Sequence, residues 1–499
     1  MKKQPFYLTT TLPYVNANPH IGFALEIVQA DAICRYQRLL GKEVIFNTGT
    51  DEHGKKIHEK AQEHGKETQA YTDEYAAKFD ALKQALNLSY NKFIRTTDPK
   101  HKAAAQEFWK RCEANGDIYK KNYQTKYCVG CELEKTDSEL VDGKCPDHPT
   151  REIELVDEEN YFFKFSAYQE KLLELYKNNP EFVVPANRQL EITNFVAKGL
   201  QDFSISRVKS KMPWGVSVPG DDDHVMYVWF DALVNYISTL GWPDEGAEGE
   251  YAQYWPGVQV AGKDNLRQQS AMWQAMLMSA GLPTSTQVFI HGYVTAEGQK
   301  MSKSTGNVVN PYDVVEKYGT DAVRYYLLGA LPSYEDGDWS EERFEEFYTA
   351  HLANGIGNLT SRILTMVEKF GDGGIGQVVE PLFDVDQFWN EYDKYMAAYK
   401  FDDLISHINN IVKLCDEAIS EQKPWEQVKQ GKDVSALIYQ LAETLRHIAV
   451  ALTPIIPHSA EMILTNLGQV KNEQKRTWGK LQSGTKITKG EPLFPRLNT

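Results

Sequence analysis

An α/β fold is predicted for this chain: a parallel-sheet domain interrupted by an insertion and followed by an α-helical bundle. Three observations carry the prediction. A strand–helix–strand pattern opens the chain and returns near residue 257. A cysteine-rich stretch lies between the two occurrences. Beyond about residue 341, apolar residues recur every three or four positions.

The first unit begins with Phe6 to Thr10, a short β-prone run. Asn18 then reads as an N-cap, with Pro19 at the first helical position. Apolar residues at 24, 27, 28, 32, 36, 39 and 40 keep helical spacing, and Gly41 is a stop. Lys42 to Asn47 is a second strand, so the unit is βαβ and starts a parallel sheet. In the second occurrence Gly257 to Ala261 and Val288 to His291 read as strands, with a helical pattern from Leu266 to Ala280 between them. The interval of roughly 116–224 does not continue the pattern and reads as the insertion. In the last third, Leu404, Ile408, Ile411, Cys415 and Ile419 form one helix face, and Leu437, Leu441, Leu445, Ile448 and Leu452 another. Pro424 and Pro454 close these helices. Residues 471–499 are weakly patterned and read as a surface tail.

At 499 residues the chain can bury several cores, and 42% hydrophobic with 25% charged residues excludes a largely disordered protein. The net charge of −15 means that any nucleic acid must meet a local basic surface, not the overall field. The richest apolar stretch, Ile448 to Ile456, is too short for a membrane span and is flanked by Arg446, His447 and His458. The N-terminus lacks the apolar core of a signal peptide. A cytoplasmic protein without a membrane partner is expected. The six cysteines are too few and too uneven for a disulfide framework. Cys34, Cys112 and Cys415 sit in helical patterns and read as packed core thiols.

The other three belong to a cluster. Cys128 and Cys131 form one short pair, and Cys145 and His148 a second, thirteen residues further on. Each pair can grip one side of a tetrahedral ion while the loop closes the site, so a structural Zn²⁺ is expected. Four protein ligands leave no open position for hydrolytic chemistry.

Two further motifs suggest phosphate chemistry. His20, Ile21 and Gly22 stand at the expected N-terminus of the first helix, where free N–H groups and the dipole favour an anion. Lys300, Met301, Ser302, Lys303 and Ser304 follow the last predicted strand, and two lysines on a small-residue loop can neutralise charge on a departing phosphate. Alone, the first is an ordinary helix start and the second a solvated basic loop. Their order and placement together are informative.

Pro19 to Gly22 and Lys300 to Ser304 resemble the two signatures of class I aminoacyl-tRNA synthetases. Thr11 to Asn16, Gly49 to Gly54, Val228 to Ala232, Gly262 to Asp264 and His291 to Tyr293 resemble the methionyl-tRNA synthetases among them. Asn358, Arg362 and Lys423 to Trp425 match in the helical region, so the resemblance runs from about residue 6 to about 468. It implies a Rossmann-like catalytic domain over 1–115 and 225–340, with a stem-contact region at about 292–340. A connective insertion over 116–224 would carry the zinc knuckle 128–148, and an anticodon-binding helical domain would span 341–470. The implied reaction joins L-methionine to ATP as methionyl-adenylate and passes the methionyl group to the 3′ end of tRNA(Met), with Mg²⁺ accompanying ATP.

The resemblance also implies site residues. His20, Gly22, Lys300, Ser302 and Lys303 would meet the phosphates, and Gly262 and Asp264 the adenosine. Asp51 would pair with the methionine amino group. Leu12, Tyr14, Trp229, Tyr236 and Gln269 would surround its side chain, since sulfur packs well on aromatic rings. Asn358, Arg362 and Trp425 would meet the anticodon, where an aromatic face can stack an unpaired base. Two positions depart from the family pattern. Phe23 stands where the first signature commonly ends in a second histidine, and Gln269 where the methionine pocket often holds one.

Leucyl-, isoleucyl- and valyl-tRNA synthetases carry a large editing insertion, for which the some 280 residues between His20 and Lys300 leave too little room. Cysteinyl-tRNA synthetase places its zinc in the amino-acid site, with ligands spread through the catalytic domain. A non-catalytic RNA-binding relative would explain Phe23 and Gln269 but not His20, Asp51, Trp229 and both loop lysines. A small-acid adenylyltransferase would leave the knuckle and bundle without a role. The chain shows no β-barrel-like pattern at its end, and a monomer is expected.

Overall fold

Six strands form a wholly parallel sheet in the order Lys92–Arg95, Glu43–Thr50, Pro5–Thr10, Val258–Gly262, Gln287–His291, Val183–Val184. The computed structural model describes residues 3–130, 133–135, 139–146, 148–244, 246–301, 306–371, 374–469 and 475–497. We label Pro5–Thr10 as β1, Ile21–Leu39 as α1 and Glu43–Thr50 as β2. Alternate residues of each strand enter different cores, as the two-residue side-chain period demands. Leu8, Phe46, Val260 and Phe289 join the core beneath α1, while Tyr7, Ile45, Ala261 and Ile290 join the core on the opposite face.

The sheet places the site. The chain leaves β1 to one side through α1 and β2, and leaves Val258–Gly262 to the other side through Gln287–His291. These two central neighbours are therefore a topological switch point, and a crevice opens beyond their C-terminal ends.

Both βαβ units appear where the sequence puts them, with two local corrections. The α1 N-cap is His20, not Asn18: the helix starts at Ile21, and His20 Nδ1 accepts the Gly22 N–H at 3.1 Å. Between Lys263 and Ser279 the backbone is not one α-helix. It passes from a 3₁₀ turn through a π segment, Gln268–Met272, into an α-helix that starts at Trp273.

In the inserted segment, Ile118–Cys128 and Glu154–Phe163 form a long antiparallel ribbon, with Leu133–Lys135 beside its tip. Val183–Val184 also lies within 116–224, yet it pairs in parallel with Gln287–His291 at the sheet edge.

The bundle contains Asn358–Phe370, Val385–Ala397, Phe401–Gln422, Ser435–Leu452 and Pro457–Asn466. Leu437, Leu441, Leu445, Ile448 and Leu452 are buried as their spacing requires. On the preceding long helix the buried stripe runs through Val412, with Ile411 only partly covered. The bundle shares its core with the α1 face of the sheet. Arg324 bridges the junction: Nη2 lies 2.8 Å from Asp31 Oδ2 of α1, Nη1 donates to Leu86 O at 3.0 Å, and Nε donates to Ile455 O at 2.8 Å.

The reading of 471–499 as a surface tail is corrected for residues 475–497. Arg446 donates to Lys475 O at 2.6 Å and Thr477 O at 2.9 Å, while Glu443 accepts from Lys480 N at 3.0 Å and Leu481 N at 2.9 Å. Leu481 is fully buried. A buried Arg–Glu pair needs hydrogen-bond partners beyond itself, and this segment's backbone supplies them.

Candidate active site

A cavity of about 790 Å³ occupies the crevice at the switch point. The loop after β1 brings Leu12 and Tyr14 to it, and β2 ends there at Thr50, just before Asp51. Two backbone hydrogen bonds join these segments: Asp51 N donates to Pro13 O at 3.0 Å, and Val15 N to Asp51 O at 3.2 Å. They hold the buried Asp51 carboxylate at the cavity wall. Trp229 meets Tyr14 edge-on, with ring centroids 6.4 Å apart, and buried Tyr236 and Gln269 complete that end. Leu12, Tyr14, Asp51, Trp229, Tyr236 and Gln269 thus line one cavity.

His20 and Gly22 stand at its other end, at the start of α1. The His20 side chain is exposed at the cleft mouth, but protein crowds it enough that desolvation lowers its pKa. With Nδ1 accepting from Gly22 N, the neutral ring has Nε2–H as its free donor. A Cβ on Gly22 would lie 3.0 Å from the His20 ring and 3.6 Å from Met301 Cε, so the second signature approaches the first. Lys300 pairs with Thr295 through its backbone. Ser302 and Lys303 lie outside the described residues. Gly262 and Asp264 line the cavity where Val258–Gly262 ends, and a Cβ on Gly262 would come within 2.9 Å of Asp264 Oδ1. Phe23 also lines the cavity and meets Phe79 edge-on at 5.4 Å, so an apolar wall replaces a donor there.

The inserted ribbon reaches over this cavity. Gly130, Lys135 and His148 contribute to its lining, and Lys56 Nζ donates to Gly130 O at 3.4 Å. The donor atoms of Cys128, Cys145 and His148 lie within 4.8 Å of one another. Cys128 Sγ is 3.9 Å from His148 Nδ1, and both cysteines are buried. Gly130 has no room for a side chain, because a Cβ would stand 2.4 Å from His148 Cγ. Two buried thiols and an imidazole converging in this way fit a zinc ion. Cys131, the fourth expected ligand, lies outside the described residues.

The family model described as tRNA synthetases class I (M) matches residues 6–153 and 148–364, and an anticodon-binding domain of tRNA ligase matches 382–488. The methionine–tRNA ligase of Thermosynechococcus vestitus is 41% identical over 99% of this chain and 97% of its own. This chain belongs to the methionyl-tRNA synthetases. The methionine–tRNA ligase of a Nostoc species is 40% identical over 99% of this chain and 98% of its own. Mycobacterium tuberculosis methionyl-tRNA synthetase, solved in complex with methionyl-adenylate, superposes with a TM-score of 0.94 at 37% identity, covering 99% of this chain and 100% of that one.

The helical part of the synthetase presents Asn358 exposed, where the π segment Tyr348–Gly357 runs on into an α-helix, and Trp425 at 41% exposure. Arg362 Nη1 contacts Asp416 Oδ1 at 2.5 Å on the long helix that ends at Gln422, and Trp425 sits in the short helix that follows. Between them Lys423 takes a left-handed conformation (φ 41°), which turns the chain sharply before Pro424.

Sequence reading missed the floor of the cleft. Glu26 Oε2 lies 3.0 Å from His291 Nε2, and Glu26 Oε1 accepts from Thr11 N at 2.9 Å. Burial opposes charge on His291, but the Glu26 carboxylate overrides it and holds the His291 pKa above its ordinary value. A glutamate within the apolar run Ala24, Leu25, Ile27, Val28 was the available signal, because a charge there needs a partner.

Proposed function

We propose that this methionyl-tRNA synthetase activates L-methionine with ATP and transfers the methionyl group to tRNA(Met), initiator tRNA included. The observation that carries the reading is the single cavity at the switch point. It unites a buried carboxylate and an aromatic wall at one end with a helix-start histidine at the other. Asp51 receives the methionine amino group, and Leu12, Tyr14, Trp229, Tyr236 and Gln269 enclose the side chain. Gly262 and Asp264 meet the adenosine of ATP.

The methionine carboxylate oxygen attacks the α-phosphorus as the bond to the bridging oxygen breaks and pyrophosphate leaves. His20 and the N–H groups beside Gly22 orient the phosphates. Lys300, Ser302 and Lys303 neutralise the departing charge, a contribution that grows toward the transition state. Little covalent work falls to the protein; positioning and charge stabilisation dominate. A hydroxyl of the terminal tRNA adenosine then attacks the adenylate carbonyl, and AMP leaves.

Cys128, Cys131, Cys145 and His148 would hold Zn²⁺, which would brace the ribbon tip over the cleft without entering the chemistry. Mg²⁺ would arrive with ATP and offset phosphate charge. Asn358, Arg362 and Trp425 meet the anticodon. Among the described residues no helix is long and apolar enough to cross a membrane. We assign the enzyme to the cytoplasm as a monomer.

Methionine-dependent exchange of labelled pyrophosphate into ATP tests this reading. Wild type should exchange, and Lys303→Ala should fall by about 100-fold or more. A folded protein without methionine-dependent exchange overturns it.

A further inference from the structure

Two walls of the cavity come from segments far apart in the chain, and a buried pair behind them joins the two. Asp51 and His53 follow β2, while Trp229 and Asp231 lie in the short helix Val228–Ala232. In each segment the first residue named lines the cavity and the second does not. Those second residues meet: His53 Nδ1 lies 3.0 Å from Asp231 Oδ2. Both are buried, at 1% and 0% exposure. Beside a carboxylate the ring nitrogen is the donor.

The aromatic wall has no polar hold of its own. The Trp229 indole N–H has no hydrogen-bond partner among the described residues, so the helix that carries the ring sets its place. A helix of little more than one turn needs tertiary anchors to persist. Phe230 supplies one, edge-on to Phe108 at 5.9 Å and to Trp109 at 5.2 Å. Those contacts fix the helix to the core behind it, not to the loop after β2. Asp231 supplies the link to that loop. Its Oδ1 has no partner among the described residues, so the carboxylate depends on its bond to His53. On the loop side His53 N lies 3.5 Å from Asp51 Oδ1, so a shift of His53 moves the backbone beside the Asp51 carboxylate.

We propose that His53 and Asp231 are positioning residues for methionine: their bond fixes the spacing between the Asp51 carboxylate and the Trp229 ring, so that one amino acid meets both at once. The inference rests on the reading that Asp51 takes the amino group and Trp229 the side chain. A ligand with both anchors is held well only when their spacing is right, whereas a ligand with one anchor moves with its wall.

The test compares two ligands in pyrophosphate exchange. One is L-methionine, read by its KM. The other is the desamino analogue of methionine, with hydrogen in place of the amino group, read by its inhibition constant. His53→Leu removes the donor to Asp231. KM for methionine should rise about tenfold, while kcat, KM for ATP and the inhibition constant of the analogue stay within about twofold. His53→Asn, whose amide N–H reaches the place of Nδ1, should bring the methionine KM back to within about threefold of wild type. An unchanged methionine KM, equal losses for both ligands, or no difference between the Asn and Leu variants overturns the proposal. If His53→Leu does not fold, Asp231→Asn is read instead, since it keeps an acceptor for His53 but loses the charge that strengthens the bond. A methionine KM raised about threefold or more with an unchanged inhibition constant supports the pair, and no change or a shared loss overturns it. Failure of the functional reading itself shows separately, as no methionine-dependent exchange in the wild type.

Discussion

His291 Nε2 and Glu26 Oε2 lie 3.0 Å apart beneath the cleft, joining the strand Gln287–His291 to α1. The pair raises the His291 pKa above its unfolded value, against the opposing effect of burial. A raised histidine pKa contributes stability that is fully present below the unfolded value of about 6.5 and is lost as pH rises through the folded one. The difference in Tm between wild type and Glu26→Gln should therefore be greatest below pH of about 6.5 and shrink in more alkaline buffer. Melting curves across a pH series check this.

Arg324 and Asp31 are both fully buried, 2.8 Å apart, at the junction of catalytic domain and bundle. Arg324→Met removes that partner and the donors to Leu86 O and Ile455 O. Breaking a buried pair from one side costs about 3–5 kcal/mol. Urea unfolding should show an unfolding free energy lower by that amount and a correspondingly lower midpoint, with the bundle and catalytic domain no longer melting together.

Cys145→Ser should reduce bound zinc from about one ion per chain and loosen the ribbon tip. Because Cys128, Cys145 and His148 lie in the segment over the cleft rather than on its floor, tRNA charging should fall more than pyrophosphate exchange. Metal analysis beside both assays separates the two effects.

Trp425 stands 41% exposed beyond a sharp left-handed turn. Trp425→Ala should weaken tRNA(Met) use by about 1–3 kcal/mol, a drop of about 5- to 150-fold in kcat/KM for tRNA. Pyrophosphate exchange should be unchanged. Steady-state charging with varied tRNA measures the first, and exchange without tRNA the second.

The legible parts of this protein were those written in local spacing. The βαβ steps at 6–47 and 257–291 and the helix faces through Leu441 and Leu445 each follow from a period of two or 3.6. The short Cys128 and Cys145–His148 spacings likewise pointed to the donor cluster whose ligand atoms lie within 4.8 Å of one another. Val183–Val184 was invisible because two residues display no period, and sheet membership is a property of the strand beside them. The His20 cap was misplaced by two residues because Asn18 and Pro19 make an equally good local start; contact of Ile21 N with Val309 O at 3.0 Å helps set the true one.

By itself the sequence determined the α/β class, the helical C-terminal third and the Cys/His cluster, and it proposed residue types for phosphate and a thioether. Tertiary structure alone decided that Leu12, Asp51, Trp229 and Gln269 share one cavity with His20, and that Glu26 finds His291. It also decided that residues 475–497 complete the Glu443–Arg446 pair. The reason is physical: backbone period is set by neighbours a few residues away, whereas a buried charge or amide is satisfied by whatever group folding delivers to it, and in this chain that group is often far away along the sequence.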